Sequence, residues 1–116
     1  MHNLPLNDIK SRIHTIRGQQ VMLDRDLARL YGVRIKRLNE QVKRNTDRFP
    51  SKFCFQLSQK EYASLRSQNA TLERGKHRKY LPYAFTEQGV ANLASVLTSE
   101  CAIETNISMM DAFVSP

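Results

Sequence analysis

Hydrophobic and polar residues near the start of the chain follow a pattern that predicts a β-hairpin. Residues 13–16 (IHTI) and 19–23 (QQVML) are two short apolar-rich segments separated by Arg17 and Gly18. A two-residue loop between paired strands needs positive φ angles, which glycine adopts at low steric cost. We therefore expect two antiparallel strands that turn at Gly18.

The spacing of apolar residues then changes to that of a helix. Residues 27, 28, 30 and 31 are apolar, which predicts a short helix that Asp24 or Asp26 can cap. Gly32 stands where a left-handed residue ends a helix. After this corner, Ile35, Leu38 and Val42 lie at i, i+3 and i+7 and predict a second amphipathic helix that ends near residue 45.

Further elements follow downstream. Residues 53–58 (FCFQLS) alternate, which predicts a half-buried strand with Phe53, Phe55 and Leu57 on one side and Cys54, Gln56 and Ser58 on the other. Ser58 can cap a helix over 59–68. The polar stretch 69–79 predicts a loop, and Pro82 makes the extended segment after it an edge or broken strand.

Two helices are predicted at the C-terminal end. Thr86 can start the first, through Val90, Leu93, Val96 and Leu97. Ser99 can cap the last, on which Ile103, Ile107, Met110 and Val114 share one stripe. We expect this stripe to pack on the chain's own core. The alternative is a two-fold homodimer through residues 100–114.

Together the elements predict one α+β domain, winged-helix-like, in which a helix-turn-helix is combined with small antiparallel strands and C-terminal helices. At 116 residues the chain is long enough for one core. We place an N-terminal extension at residues 1–12 and the domain at 13–116.

Composition excludes several classes of protein. No run of about 18 apolar residues exists and the N-terminus has no apolar signal block, so we expect an intracellular, cytoplasmic protein without membrane contact. Cys54 and Cys101 lack zinc or disulfide spacing and are expected to be reduced. The histidines at 2, 14 and 77 are scattered, so we expect no metal, no cofactor and no enzymatic activity.

Charge gives the first positive indication of function. The net charge is +7, yet all 18 Lys and Arg precede Tyr80. The segment from Tyr80 onward carries −4, so the first 79 residues carry +11. A basic surface of this size favours a nucleic-acid partner.

The spacing of Ala28, Gly32, Val33 and Leu38 is that of a helix-turn-helix, in which a small residue permits close crossing and the later Leu anchors the second helix. With Leu38 inward, Lys36, Arg37, Glu40, Lys43 and Arg44 project outward, with Arg34, Asn39 and Gln41 on the flanks. Major-groove readout uses these side-chain types. Arg34, Lys36, Arg37 and Gln41 are the candidates for contacts to base edges.

The same helix has a simpler interpretation, because Glu40 can pair with Lys36, Lys43 and Arg44 as on many solvated surface helices. Accumulated charge favours DNA, since residues 34–52, which include Arg48 and Lys52, carry a net +5. Residues 73–79 add four more cations. They form either a solvated loop tip or a wing that places Arg74, Lys76, His77, Arg78 and Lys79 beside an adjacent backbone or minor groove.

Aromatic residues support a minor alternative. Phe53, Phe55, Tyr80, Tyr83 and Phe85 could stack bases of single-stranded RNA, but no RNA-binding signature accompanies them. We expect them to lie in the core.

Several blocks resemble the ORF-six N-terminal (ORF-six-N) domain family, which is related to KilA-N and Bro-N. The blocks are IRGQQVMLDRDLARLYGV, KRLNEQVKRN, RFPSKFCFQLS, LRSQNA and KYLPYAFTEQGVANLASVL, and the resemblance spans about residues 13–114. Residues 32–45 carry the shared positions Gly32, Val33, Lys36, Leu38, Asn39, Val42, Lys43, Arg44 and Asn45. Thr86, Glu87, Gln88 and Gly89 form a second shared block.

The resemblance implies a DNA-binding module of phages, prophages and bacteria, usually followed by a separate C-terminal domain. We therefore expect binding of double-stranded DNA and phage-type transcriptional regulation. The alternative is a protein-interaction module, such as a phage antirepressor that binds a repressor and needs no cationic helix face.

Overall fold

A computed structural model of the chain describes residues 6–68, 81–98 and 100–114. The elements of this part, in chain order, are α1 (Leu6–Lys10), β1 (His14–Ile16), β2 (Gln19–Leu23), α2 (Asp24–Tyr31), α3 (Ile35–Arg44), a 3₁₀ turn (Thr46–Arg48), β3 (Cys54–Gln56), α4 (Gln59–Gln68), β4 (Tyr83–Thr86), α5 (Glu87–Leu97) and α6 (Glu100–Val114). None of these helices is both long and apolar enough to cross a bilayer. The α+β class is confirmed.

The four strands form one antiparallel sheet in the order β1-β2-β4-β3. The predicted β1–β2 hairpin is confirmed, and its turn has positive φ at both Arg17 (55°) and Gly18 (74°). Positive φ at both central positions is the backbone of the tight turn that matches the twist of paired strands. An arginine occupies one of these strained positions.

The sheet is covered by helices on both faces. Met22, Cys54 and Phe85 belong to a core shared with α2, α3, α5 and α6, whereas Val21, Leu23, Phe55 and Ala84 belong to a second core that includes Tyr62 and Leu65 of α4. The prediction that β3 is half-buried, with Cys54 on its open side, is therefore wrong. Cys54 is only 8% exposed, and burial raises the pKa of its thiol to about 12.

The segment after Pro82 is not an edge strand. β4 pairs with both β2 and β3 and lies inside the sheet, so the predicted edge or broken strand is wrong. Proline is tolerated because it precedes the strand, and its carbonyl accepts a hydrogen bond from the Leu57 amide at 2.9 Å. The loop predicted at 69–79 lies outside the described residues.

Helix starts agree only in part with the predictions. Ser58 caps α4 as expected through two reciprocal hydrogen bonds. The Glu61 amide donates to Ser58 Oγ, and the Ser58 amide donates to the Glu61 carboxylate. Asp24 and Asp26 do not cap α2, whose N-cap is Leu23 without a side-chain bond. Asp24 is buried, and its carboxylate accepts from the Tyr83 amide at 3.2 Å, which joins α2 to the start of β4.

The two terminal helices complete the larger core. α1 lies within the segment assigned as an extension, and its Ile9 is fully buried where α1 packs on α6. α6 is present as predicted, but the prediction that its stripe packs on the core is wrong. The buried residues are Ala102, Thr105, Met109, Ala112 and Phe113, whereas Ile103, Ile107 and Val114 are exposed. Ser99, the predicted cap, lies outside the described residues.

Candidate nucleic-acid interface

Helices α2 and α3 form the predicted helix-turn-helix. Gly32 is left-handed (φ 70°, ψ 31°), and the amides of Gly32 and Val33 donate to the carbonyls of Arg29 and Ala28. These bonds satisfy carbonyls at the end of α2 and turn the chain into α3 within three residues. Ala28 (4% exposed) is the small buried residue of α2.

Helix α3 presents the predicted inner and outer faces. Leu38 is fully buried, and the half-buried Ile35 and Val42 pack against the same core. On the outside, Arg34, Lys36, Arg37, Glu40, Lys43 and Arg44 are exposed, whereas Asn39 and Gln41 are half-buried. The helix therefore buries its apolar stripe and exposes four cations together, with Arg34 as a fifth at its N-cap.

In the part of the chain that the structure describes, none of these five cations forms a salt bridge. The salt bridges Arg12–Asp26 and Arg17–Glu61 both lie outside α3. Glu40 forms no salt bridge there with Lys36, Lys43 or Arg44. The simpler interpretation of α3 as a surface helix with internal ion pairs is therefore not supported by its geometry.

The chain after α3 is fixed against α5. The Asn45 side-chain amide donates to the Gln41 carbonyl at 2.8 Å, and the Thr46 hydroxyl donates to the Lys43 carbonyl at 2.7 Å. Arg48 then contacts α5 twice, since its guanidinium donates to Ser95 Oγ at 3.1 Å and its carbonyl accepts from the Asn92 amide at 2.9 Å. An exposed arginine is thus bonded to α5 through both its side chain and its backbone.

A shallow cleft of about 360 Å³ lies beside this segment. It is lined by Gln19, Gln20, Lys52, Phe53, Thr86, Glu87, Gln88 and Phe113. The Lys52 ammonium lies 5.2 Å from the centroid of the Phe53 ring, within the range of a cation–π contact. Gln88 donates to Asn92 at 3.1 Å, which connects the cleft to the segment that holds Arg48.

The second shared sequence block has a structural explanation. Thr86 caps α5, because its Oγ accepts from the Gly89 amide at 3.3 Å, and its own amide donates to the Phe53 carbonyl at 3.0 Å. A Cβ on Gly89 would overlap that same carbonyl oxygen. Thr86 and Gly89 therefore dock the start of α5 on the backbone just before β3, whereas Glu87 and Gln88 are exposed and line the cleft.

Sequence reasoning missed the polar edge of α5. Gln88, Asn92 and Ser95 lie at i, i+4 and i+7, opposite the buried Val90 and Leu97. This periodicity is readable in the sequence, but its contact with Arg48 depends on how α3 and α5 pack. The structure therefore adds these three side chains to the surface around Arg48, and it places the glutamines at 19 and 20 in the cleft with Gln88.

Part of the predicted site lies outside the described residues, namely Arg74, Lys76, His77, Arg78 and Lys79. The two strands that flank this segment, β3 and β4, do pair antiparallel, but helix α4 stands between them in the chain. The connection is therefore longer than a simple strand–loop–strand wing.

Among the aromatic residues that the structure describes there is no common platform, and Tyr83, which is 37% exposed, does not lie in the core as expected. Phe85 is fully buried and Phe55 is 8% exposed, and they belong to the two different cores. Tyr80 lies outside the described residues. Among the described residues no group of three or more His, Cys, Asp or Glu is placed to hold a metal ion.

Fold and surface together define a single α+β domain that exposes a cationic helix-turn-helix. The sequence model of the ORF6N domain family matches residues 11–96, about three quarters of the chain. The chain therefore belongs to the ORF6N domain family. The match includes α2, α3 and both shared blocks and ends within α5, so α6 lies beyond it. No match was found among curated proteins or among solved structures.

Proposed function

We propose that this domain binds double-stranded DNA through α3 and serves in phage-type transcriptional regulation. Four exposed cations lie on one face of α3, whose opposite side is anchored by the fully buried Leu38, and Arg34 adds a fifth at the start of the helix. This arrangement is the observation that supports the proposal. A helix of this kind, presented by a glycine corner, fits the major groove of B-form DNA.

Position along α3 divides its side chains into two roles. Arg34, Lys36 and Arg37 stand at the start of the helix, where recognition helices approach base edges, and arginine or lysine there pairs with guanine. Gln41, one turn further, has the amide that pairs with adenine but is only half-exposed.

The second role is phosphate contact. Four exposed cations can make such contacts: Lys43 and Arg44 at the end of α3, Arg48 in the following turn and Lys52 at the cleft. The hydrogen bonds from Arg48 to α5 keep this segment in a fixed position beside the helix. Such contacts orient a protein on the duplex without reading its sequence.

Phosphate contacts make the affinity dependent on salt. If six or seven of these cations each neutralise one phosphate, log K falls against log salt concentration with a slope of about −5 to −6. A flat salt response would contradict binding in a groove.

The direct test is fluorescence anisotropy with a labelled duplex of random sequence at two salt concentrations. The variant Lys36→Ala/Arg37→Ala removes two cations from the outer face of α3 and should weaken binding roughly hundredfold. Lys60→Ala/Arg66→Ala removes the same charge from exposed positions of α4, on the other side of the sheet, and should change affinity less than about threefold.

Equal losses in both variants would show that binding follows net charge and not the α3 face. No duplex binding by the unaltered chain, together with capture of a repressor protein, would replace the proposal with the antirepressor alternative.

A further inference from the structure

Helix α6 has an exposed apolar face in addition to the face that it buries. Its inner face, which includes the fully buried Met109, packs on the rest of the domain. Its outer face carries Ile103 (64% exposed), Ile107 (66%) and Val114 (68%), which we call the outer stripe. These are three of the four large hydrophobic residues that are exposed among the described residues. Concentration of apolar surface in one place is typical of an interaction site.

Two acidic residues run alongside this outer stripe. At about 100° per residue, Ile103, Ile107 and Val114 fall within an arc of roughly 40° around the helix axis. Glu104 and Asp111, both exposed, lie together roughly 40° to 60° further round on one side. We call these two carboxylates the acidic row. The outer stripe is therefore bordered by negative charge along one edge.

The acidic row is not neutralised within the described part of the domain. The sequence of α6 contains no Lys or Arg. In the residues that the structure describes, neither Glu104 nor Asp111 forms a salt bridge. The other edge of the stripe carries Asn106 and Met110, which are half-buried and uncharged. The surface is thus apolar in the middle and negative on one side, although the whole chain carries +7.

Charge restricts the kind of partner that this surface can bind. Phosphate groups of nucleic acid and of anionic lipid are repelled by the acidic row. From Ile103 to Val114 the outer stripe extends about 16 Å along the helix, a length that a second helix can cover with its own apolar stripe. Cations on that second helix would complement the acidic row. The chain's own α6 is not such a helix, because it has no Lys or Arg.

We infer that the outer stripe and the acidic row bind an amphipathic helix of a partner protein in which Lys or Arg stands beside the apolar residues. The apolar side chains of that helix cover the outer stripe, and its cations face Glu104 and Asp111 at the rim of the contact. The surface belongs to α6, which follows the residues 11–96 that the family model matches. The inference is therefore separate from the DNA binding proposed for α3.

The size of the surface sets the affinity. The helix of 15 residues is about 22 Å long. Three exposed side chains and two carboxylates cover less than the roughly 800 Å² per partner that stable interfaces bury. Binding of an isolated partner helix should therefore be reversible, with a dissociation constant of about 10–100 μM.

Isothermal titration calorimetry of the full chain without DNA tests the inference. The probe is a synthetic helical peptide of about 18 residues, with Leu at alternating intervals of three and four and Lys on both sides of the Leu stripe. Lysine on both sides lets the peptide meet the acidic row in either direction. The same peptide with Glu in place of Lys is the matched probe and should not bind.

Charge reversal locates the binding surface. Glu104→Lys/Asp111→Lys should weaken binding of the Lys peptide about tenfold or more, because two attractions become repulsions. Glu40→Lys/Asp47→Lys makes the same change in net charge at two exposed positions outside α6 and should alter the affinity less than about threefold. All four side chains are exposed, so both variants should fold.

A third variant tests the apolar contribution. Ile107→Ser removes the middle of the outer stripe and should also weaken binding about tenfold, with an unchanged circular dichroism spectrum.

Three results would overturn the inference: no binding of the Lys peptide up to about 1 mM, equal binding of the Glu peptide, or equal losses in the two charge-reversal variants. A dimer of the chain alone that Ile107→Ser dissociates would assign the stripe to a second copy and would also overturn it. Because no DNA is present, none of these outcomes bears on duplex binding by α3.

Discussion

Gly89 in the first turn of α5 lies directly against the backbone carbonyl of Phe53, which also accepts the Thr86 amide. The helix backbone approaches this carbonyl so closely that a side chain at position 89 has no room. It fixes α5, and with it the edge that holds Arg48, on the sheet.

Substitution of Gly89 should therefore destabilise the domain. Alanine normally favours a helix over glycine by about 1 kcal/mol, but here its methyl group must displace backbone. We expect Gly89→Ala to lower the free energy of unfolding by about 1–3 kcal/mol, measured by urea denaturation. As a control, Ala91→Gly in the same helix should lower the free energy of unfolding only by the difference in helix propensity, about 1 kcal/mol. A more stable Gly89→Ala variant would contradict the close packing.

Arg48 should contribute one phosphate contact. Arg48→Ala is expected to weaken duplex binding and to reduce the magnitude of the salt slope by about 1, in a titration of affinity against salt. Arg66→Ala on α4 removes the same charge and should leave the slope unchanged. An unaltered slope in Arg48→Ala would show that the guanidinium beside Ser95 does not touch DNA.

His14 should make the fold sensitive to mild acid. Burial lowers the pKa of its imidazole from the usual 6.5, and the opposing effect of Asp26 is smaller. As the pH falls, His14 is therefore protonated at a higher pH in the unfolded chain than in the folded protein. The stability is full above about pH 6.5 and falls as the pH drops toward the pKa of the folded state.

Urea denaturation between pH 5 and 8 should show this decline in the unaltered chain and less of it in His14→Gln. An imidazole pKa at or above 6.5, measured by NMR on the folded protein, would contradict the expectation.

The Arg17–Glu61 ion pair should make the stability of the fold depend on pH in a more acidic range than His14 does. Bidentate bonds from Arg17, at 2.8 and 3.1 Å, and one from the Ser58 amide lower the pKa of Glu61 to about 2 from the usual 4.5. The stability that this carboxylate contributes is present above pH 4.5 and is lost as the pH falls toward 2. Solvent reduces its size, because the pair is exposed.

Glu61→Gln should therefore flatten the fall in melting temperature between pH 4.5 and pH 2. Arg17→Lys, which keeps the charge but not the two-bond geometry or the contact over the Phe55 ring, should flatten it in part. A pH profile that Glu61→Gln leaves unchanged would contradict the assignment.

Local features of this fold were predictable from sequence. The faces of α3 follow from the period of ten consecutive residues, so the inward Leu38 and the outward cations were predicted and are confirmed. The left-handed Gly32 and the Ser58 cap also depend only on neighbours within four residues. The role of the α3 cations in DNA binding stays a prediction.

The wrong predictions share a dependence on distant contacts. Asp24 has the chemistry of a helix cap, but its partner is the Tyr83 amide, 59 positions away. β4 could not be placed inside the sheet, because its neighbours β2 and β3 lie far from it in the chain. Both stripes of α6 are apolar, and which one is buried depends on where α1 and α5 dock.

The central position of β4 also sets the order in which this protein can be completed during synthesis. Residues 14–56 leave the ribosome as a hairpin, a helix pair and a strand, and β2 and β3 have no strand between them until Tyr83–Thr86 arrive. Leu38 lacks its support from α5 until still later, since that helix follows β4. A nascent chain stopped before residue 83 therefore holds every cation of α3 but lacks the strand β4 and the helix α5 that support this helix, and the proposed DNA binding requires synthesis to pass these elements.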